Sequence, residues 1–161
     1  MKEHSPVVRP MNVEEITGRM LVDTNVLIYA TLAGDSRHKR AQEVLGKRHL
    51  EGIELFISVQ NLAEMYPNLT GPKNQPPDSP EVAKSKIQSI SRLSGVTILP
   101  VTNETVNKAL DLCEALQVTR QNYFDVQLVA TMQSEGIPTI VTENTKDFEM
   151  IQSLNVVNPF S

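Results

Sequence analysis

Four carboxylates, with the short polar segments around them, are the residues whose types and spacing could do chemistry in this chain. In an open parallel α/β sheet, ligands collect beyond the carboxyl ends of the strands, so polar residues placed just after apolar runs come first. Asp23 follows Met20-Leu21-Val22 and precedes Thr24 and Asn25; Ser58 closes Leu55-Phe56-Ile57; Thr142 to Asp147 follow Thr139-Ile140-Val141. Glu64 and Asp125, carried on helix-length segments, are their candidate companions. Hard oxygen ligands arriving from a strand end, a helix and two segments near the last strands would suit Mg²⁺ or Mn²⁺.

Each acid also has a plainer reading. Asp is among the best helix N-caps, and Asp23 stands just before a helix-length segment. On a helical wheel with Phe124 at zero, Leu128 falls at about 40°, Met132 at about 80°, Val129 at about 140° and Asp125 at about 100°. Asp125 therefore lies inside an apolar arc, where a carboxylate costs several kcal/mol unless it is paired, hydrogen-bonded or on a metal. Against this, Asn122 and Asp125 have the spacing of a capping box, and Asn144 and Asp147 repeat it. Glu64 falls about 150° from the centre of its helix's apolar arc, the place of an ordinary surface glutamate or of a cleft residue. Local spacing leaves both readings open.

The elements that must position these residues are legible as short apolar or β-branched runs: Met20 to Val22, Ile53 to Ser58, Val96 to Leu99, Ile137 to Val141 and Val156-Val157. Between them lie helix-length segments: Asn25 to Leu32, Arg37 to Leu50, Val59 to Leu69, Pro80 to Ser94, Asn103 to Gln117 and Asn122 to Gln133, with a short turn near Lys146 to Gln152. Strands alternating with helices predict a three-layer α/β/α sandwich around a central, mostly parallel sheet of four to five strands. Gly71 to Pro80 holds four of the chain's ten prolines, a density that neither a helix nor a central strand tolerates, and is expected to be a helix-to-helix loop. Residues 1–18 carry Pro6 and Pro10 with little periodicity and are expected to be a tail or appended segment; 19–161 form the domain.

The chain has 161 residues, 40% hydrophobic and 21% charged, an ordinary globular composition for one domain. Nineteen Asp and Glu against 15 Lys and Arg give a formal charge of -4, which excludes a histone-like coat of bulk positive charge. Cys113 is the single cysteine, so no intrachain disulfide exists and a reducing cytoplasm fits. The first twenty residues have no apolar core segment, and Val26 to Gly34 is about half the roughly 18 residues a membrane span needs, so neither a secretory signal nor a membrane partner is expected.

Met20-Leu-Val-Asp-Thr-Asn-Val-Leu-Ile-Tyr29, Ser58-x5-Glu64, Phe124-Asp-x4-Val129-Ala130 and Ile140-Val-Thr-x-Asn-x2-Asp-Phe148 together resemble the PIN domain, and in length and motif style its VapC-type toxin ribonucleases. The resemblance runs from about Arg19 to Phe160. It implies metal-binding, catalytic carboxylates at Asp23, Glu64 and Asp125, with Asp147 as the fourth acid. Many relatives place an Asp where Asn144 stands, so the fourth ligand falls to Asn144 or Asp147. Thr24, Asn25, Thr142 and Asn144 are the residues that would shape the site. The implied chemistry is Mg²⁺- or Mn²⁺-dependent hydrolysis of RNA phosphodiesters. The implied partners are an RNA substrate, a cognate antitoxin of a type II toxin-antitoxin pair, and a second copy in a homodimer.

Arg37, Arg40, Lys47 and Arg48 fall within an arc of about 100° on the second helix and are the candidate RNA contacts, though Val44 shares that arc and a solvated face is the plain alternative. His4, His38 and His49 lie away from the motifs, against a histidine-dependent, metal-free ribonuclease. Two other functions compete: a non-catalytic PIN-like scaffold that binds RNA or protein, and a haloacid dehalogenase-like phosphatase. The latter calls for a second Asp two residues after the first, where this chain has Asn25.

Overall fold

The computed structural model describes residues 8–10 and 17–161. Six strands form one parallel sheet: β1 (Val8–Pro10), β2 (Gly18–Val22), β3 (Ile53–Ser58), β4 (Val96–Leu99), β5 (Thr139–Val141) and β6 (Asn155–Asn158), in the order β1-β6-β5-β2-β3-β4. The five expected strands all form, and Val8–Pro10 adds a sixth along the outer edge of β6. The remainder of the expected tail, residues 1–7 and 11–16, lies outside the described residues.

Alternation along the strands sorts the core into two layers. Met20, Val22, Leu55 and Ile57 face one side, packed against α1 (Thr24–Tyr29), α2 (His38–Gly46), α3 (Val59–Thr70) and α4 (Pro80–Ser91). Leu21, Phe56 and Ile140 face the other, against Leu128, Val129 and Met132 of α6 (Tyr123–Ser134). Outside α6, α5 (Asn103–Leu116) packs through Ala109 onto Val126 and Ala130. Seven consecutive residues of α6, Val126 to Met132, are buried, as expected of a helix covered by the sheet on one side and another helix on the other.

Several boundaries shift from expectation for local reasons. The run Ile137 to Val141 supplies a strand only from Thr139: Gly136, with φ of +64°, ends α6, and the Ile137 amide still donates back to the Met132 carbonyl at 2.9 Å. The second helix stops at Gly46 and tightens into a 3-10 turn over Lys47–His49. The proline-rich loop joins α3 to α4 as expected. It begins at Gly71, where a Cβ would stand 2.7 Å from the Pro67 carbonyl oxygen. It is tied down by the Asp78 amide donating to the Leu69 carbonyl at 2.9 Å and by Lys86 Nζ at 2.8 Å from Asp78 Oδ2.

Chain order makes β2 the pivot of the sheet. From β2 the chain builds outward through β3 and β4, then returns to place β5 on the other side of β2. The carboxyl ends of β2 and β5 thus flank the point where strand order reverses, the crevice in which open α/β sheets bind ligands. Asp23 and Thr142 are the first residues beyond those two strands, and the Asp23 amide donates to the Val141 carbonyl at 3.0 Å.

Candidate functional site

Asp23 is the centre of the crevice. It is only 7% exposed, and both carboxylate oxygens accept hydrogen bonds. Oδ1 takes the Thr24 amide at 2.7 Å and Asn61 Nδ2 at 3.2 Å; Oδ2 takes the Thr142 hydroxyl at 2.8 Å and Asn25 Nδ2 at 3.3 Å. The N-cap reading of Asp23 is realised through the Thr24 amide. The remaining three donors come from α1, α3 and the segment after β5, far more than a cap requires.

The other site-shaping residues lock together around it. Asn25 Nδ2 also donates to Thr142 Oγ1 at 3.0 Å, while its Oδ1 accepts the Glu143 amide at 3.0 Å. The Asn144 amide donates to Thr142 Oγ1 at 3.0 Å, so Thr142 accepts from the following turn and donates to Asp23. Thr24 Oγ1 donates to Glu64 Oε2 at 3.0 Å, which links the residue after Asp23 to the acid on α3.

Glu64 sits on α3, capped by Ser58 in a reciprocal box with Asn61. The Ser58 amide donates to Asn61 Oδ1 at 3.0 Å, which turns the Asn61 amide nitrogen toward Asp23 and Thr24. The strand-to-helix cap after β3 therefore doubles as a support for the acid after β2. Asp125 lies in the first turn of α6 and Asp147 in a 3-10 turn over Thr145–Phe148, anchored by the buried ring of Phe148. Neither Asn122 nor Asn144 makes a side-chain capping bond, so the capping-box reading of Asp125 and Asp147 is not realised.

Electrostatics ties the four acids together. Burial pushes the Asp23 carboxyl up from 3.8 to about 6; the Thr142 and Thr24 hydrogen bonds oppose this, and the charges of Glu64 and Asp147 add to it. Burial likewise raises Asp125 from 3.8 to about 7, reinforced by Asp147, Asp23 and Glu64. Four carboxylates close enough to disturb one another, two of them driven toward neutrality, form a site short of positive charge. Among the described residues, no Lys or Arg is ion-paired with any of the four.

An all-oxygen set of hard anionic donors fits Mg²⁺ or Mn²⁺. Among the described residues no three acidic, His or Cys side chains converge on one point, so the four acids form an open cluster and not a closed cage. Asp23, Glu64, Asp125 and Asp147 are the residues that could hold an ion, with Asn144 in the same turn as Asp147.

The candidate RNA contacts on α2 part company. Arg37 lies beside the site, with Nε and Nη2 on the two oxygens of Asp35 at 2.9 Å each and Nη1 on Glu143 Oε1 at 2.8 Å. Its guanidinium stacks 3.8 Å from the centre of the Tyr29 ring, and the Tyr29 hydroxyl donates to Glu143 Oε2. This latch joins the start of α2 to the segment after β5 and walls a cavity of about 370 Å³ that reaches Asn25 and Asn144. Arg40 is exposed, whereas Lys47 is 7% exposed and Arg48 donates to the Ser94 and Leu45 carbonyls at 3.0 Å.

Sequence reasoning missed Asn61, Gln60, Gln127 and Glu143. A Ser-x-x-Asn cap at a strand-to-helix junction was a signal for Asn61, and a glutamine inside the apolar run of α6 was one for Gln127. Glu143 offered none beyond lying between two site residues.

A second groove, of about 890 Å³, is lined by Glu64 and Asp125 themselves, with Gln60 and Gln127 and the apolar side chains of Val59 and Phe124. Val59 and Phe124 leave apolar side chains exposed in this groove, and Tyr66 of α3 is also exposed.

No curated protein matches the chain in sequence. Among solved structures, the toxin VapC20 of Mycobacterium tuberculosis, described as cleaving the sarcin-ricin loop, superposes with a TM-score of 0.59 at 19% identity, over 75% of this chain and 86% of that one. A chain of VapBC-1 from nontypeable Haemophilus influenzae gives 0.62 at 18% identity, over 89% and 99%. One from VapBC2 of Rickettsia felis, bound to a DNA fragment from its promoter, gives 0.57 at 22%, over 86% and 96%. At these identities the likeness shows a shared fold. The sequence profile of the PIN domain matches residues 20–152, a span that runs from β2 past Asp147 and takes in all four acids. With that match across most of its length, and with this fold, the chain belongs to the PIN domain family.

Proposed function

We propose that the protein is a Mg²⁺- or Mn²⁺-dependent endoribonuclease and the toxin of a type II toxin-antitoxin pair. The observation that carries the reading is the coupled cluster of Asp23, Glu64, Asp125 and Asp147 at the reversal of strand order, with Asp23 and Asp125 raised toward neutrality by burial and by the other acids. A divalent ion bound there would supply a water of lowered pKa and offset charge on the phosphate oxygens.

The chain's own residues prepare that chemistry. Thr142, Asn25 and Asn61 hold the Asp23 carboxylate in one orientation, and Thr24 does the same for Glu64. None of these supports needs to gain or lose a proton. Burial and the neighbouring acids raise Asp125 to about 7 in the metal-free protein, so a cation bound there would displace a proton near neutral pH. No side-chain nucleophile is required. The net charge of -4 does not oppose an RNA substrate, because setting the four acids aside leaves 15 acidic against 15 basic residues. Of the four candidate RNA contacts, Arg37 lines the adjoining cavity, paired with Asp35 and Glu143, and Arg40 is exposed to solvent.

An antitoxin as partner is supported by the similarity to chains solved in toxin-antitoxin complexes. The acidic cluster would suit a partner's guanidinium. A homodimer is supported by the exposed apolar side chains of Val59, Tyr66 and Phe124, which a second copy would cover. No helix among the described residues is long and apolar enough to cross a membrane, and a cytoplasmic location follows from the proposed role. Membership of the PIN family leaves the phosphatase alternative without support. The intact acid set also disfavours the non-catalytic scaffold.

Expression in a bacterial host tests the toxin role. Wild type should arrest growth and generate new RNA 5′ ends, and Asp23→Asn should do neither; arrest by both proteins alike would reject the role of the acids.

A further inference from the structure

A chain of buried side-chain amides runs from α6 to Glu64. The Tyr123 hydroxyl donates to Gln127 Oε1 at 2.9 Å, Gln127 Nε2 donates to Gln60 Oε1 at 2.8 Å, and Gln60 Nε2 donates to Glu64 Oε1 at 2.9 Å. The same Gln60 nitrogen also donates to the Phe124 carbonyl at 2.8 Å. Gln60 and Gln127 are 8% and 9% exposed.

The direction of the chain is forced by its Glu64 end. The Glu64 carboxylate and the Phe124 carbonyl only accept, so the Gln60 amide nitrogen must face both and its oxygen must face Gln127. Gln127 must then turn its nitrogen to Gln60 and its oxygen to Tyr123. Each amide oxygen and nitrogen along the contact has at least one partner, and both hydrogens of Gln60 Nε2 are used, which limits the penalty of burying these amides. Packing alone would be served by Leu or Met at either position.

The connections reach beyond one acid. Gln60 grips both the Glu64 carboxylate on α3 and the carbonyl of the residue just before Asp125 on α6. The other oxygen of Glu64 is held by Thr24, the residue just after Asp23. Glu64 is therefore clamped between the neighbours of the two raised acids, and the amide chain fixes its distance from Asp125.

We infer that Gln60 and Gln127 are positioning residues which, acting in series, hold Glu64 as a ligand for a divalent cation. The inference rests on the carboxylate-site reading above and adds two residues that set cation affinity without touching the cation. Removing an outer support of this kind lowers metal affinity by about 10–100-fold.

Mn²⁺ titration by calorimetry at pH 8, alongside circular dichroism of the metal-free proteins, tests it. Gln60→Met and Gln127→Met should each fold and lose about 10–100-fold in Mn²⁺ affinity. Because Gln127 acts through Gln60, the double variant should bind no more weakly than Gln60→Met. In a Glu64→Gln background, Gln127→Met should change nothing further. Tyr123→Phe, which removes only the outermost hydroxyl, should cost about fivefold, the equivalent of one hydrogen bond, and serves if a glutamine variant does not fold. Folded variants with wild-type Mn²⁺ affinity would overturn the inference while leaving the carboxylate site standing. A wild-type protein that binds no Mn²⁺ would overturn both.

Discussion

Asp23→Asn should change stability in a way that depends on pH. Burial raises the Asp23 carboxyl from 3.8 to about 6, so folding favours its protonated form. A carboxyl raised in this way contributes stability that is full below pH 3.8 and is lost as pH rises through about 6. A shift of roughly two pK units corresponds to about 3 kcal/mol, of which about 2 to 3 kcal/mol falls between pH 4 and pH 8. Asparagine has the same shape and no charge. It keeps an acceptor for the Thr24 amide but sets a donor against Asn25 Nδ2, a loss of about 1–3 kcal/mol that does not vary with pH. The absolute stability of the variant therefore matters less than the trend. Relative to wild type, Asp23→Asn should gain about 2 to 3 kcal/mol in metal-free buffer on going from pH 4 to pH 8. Removing the Asp23 charge also relieves Asp125, which adds in the same direction. Urea unfolding followed by circular dichroism, with a chelator present, measures the difference at each pH. A gap between the two proteins that stays constant across this range would refute the assignment of Asp23 as a buried carboxylate made costly by desolvation.

Other outcomes follow from the same geometry. Divalent cation binding should compete with protons at Asp23 and Asp125, raised to about 6 and about 7, so Mn²⁺ affinity should rise from pH 6 to pH 8 and proton release should be larger at pH 6. Calorimetry in buffers of different ionisation enthalpy counts those protons. Phe148→Ala removes the fully buried ring that anchors the turn bearing Asp147, and should cost about 3–5 kcal/mol in urea unfolding. Arg37→Ala breaks the latch to Asp35, Glu143 and Tyr29; because the side chain is partly exposed, the loss should be about 1–2 kcal/mol in the same measurement.

The parts of the fold that sequence made legible are those with strong local pattern. Met20 to Val22 followed by Asp-Thr-Asn reads as a strand running into a polar turn, and the sheet places it at the pivot. Val8–Pro10 pairs with β6 although nothing in its pattern marks a strand, because a three-residue edge strand needs only a backbone partner. The arc expected to present Lys47 and Arg48 assumed 100° per residue past Gly46. The helix tightens there to a 3-10 turn, the phase is lost, and Lys47 turns inward.

At the site, Thr24, Asn25 and Thr142 were legible beside the acids, whereas Asn61, Gln60, Gln127 and Glu143 were not. Asn122–Asp125 and Asn144–Asp147 share a capping-box spacing, and only the absence of side-chain capping bonds separates a cap from a site. Asn61 reaches Asp23 across 38 positions of sequence, Gln127 reaches Gln60 across 67 and Arg37 reaches Glu143 across 106. Such pairs are set by how β2, α3, α6 and the end of β5 converge, which no local periodicity encodes.

On the proposed function, the four acids hold a divalent cation for RNA hydrolysis. Incubation of the purified protein with RNA, in Mn²⁺ or Mg²⁺ and in chelator, tests it most directly when run beside Asp125→Asn. Wild type should cleave only with the cation, and the variant should not cleave. Equal cleavage by both, or by wild type in chelator, would contradict it.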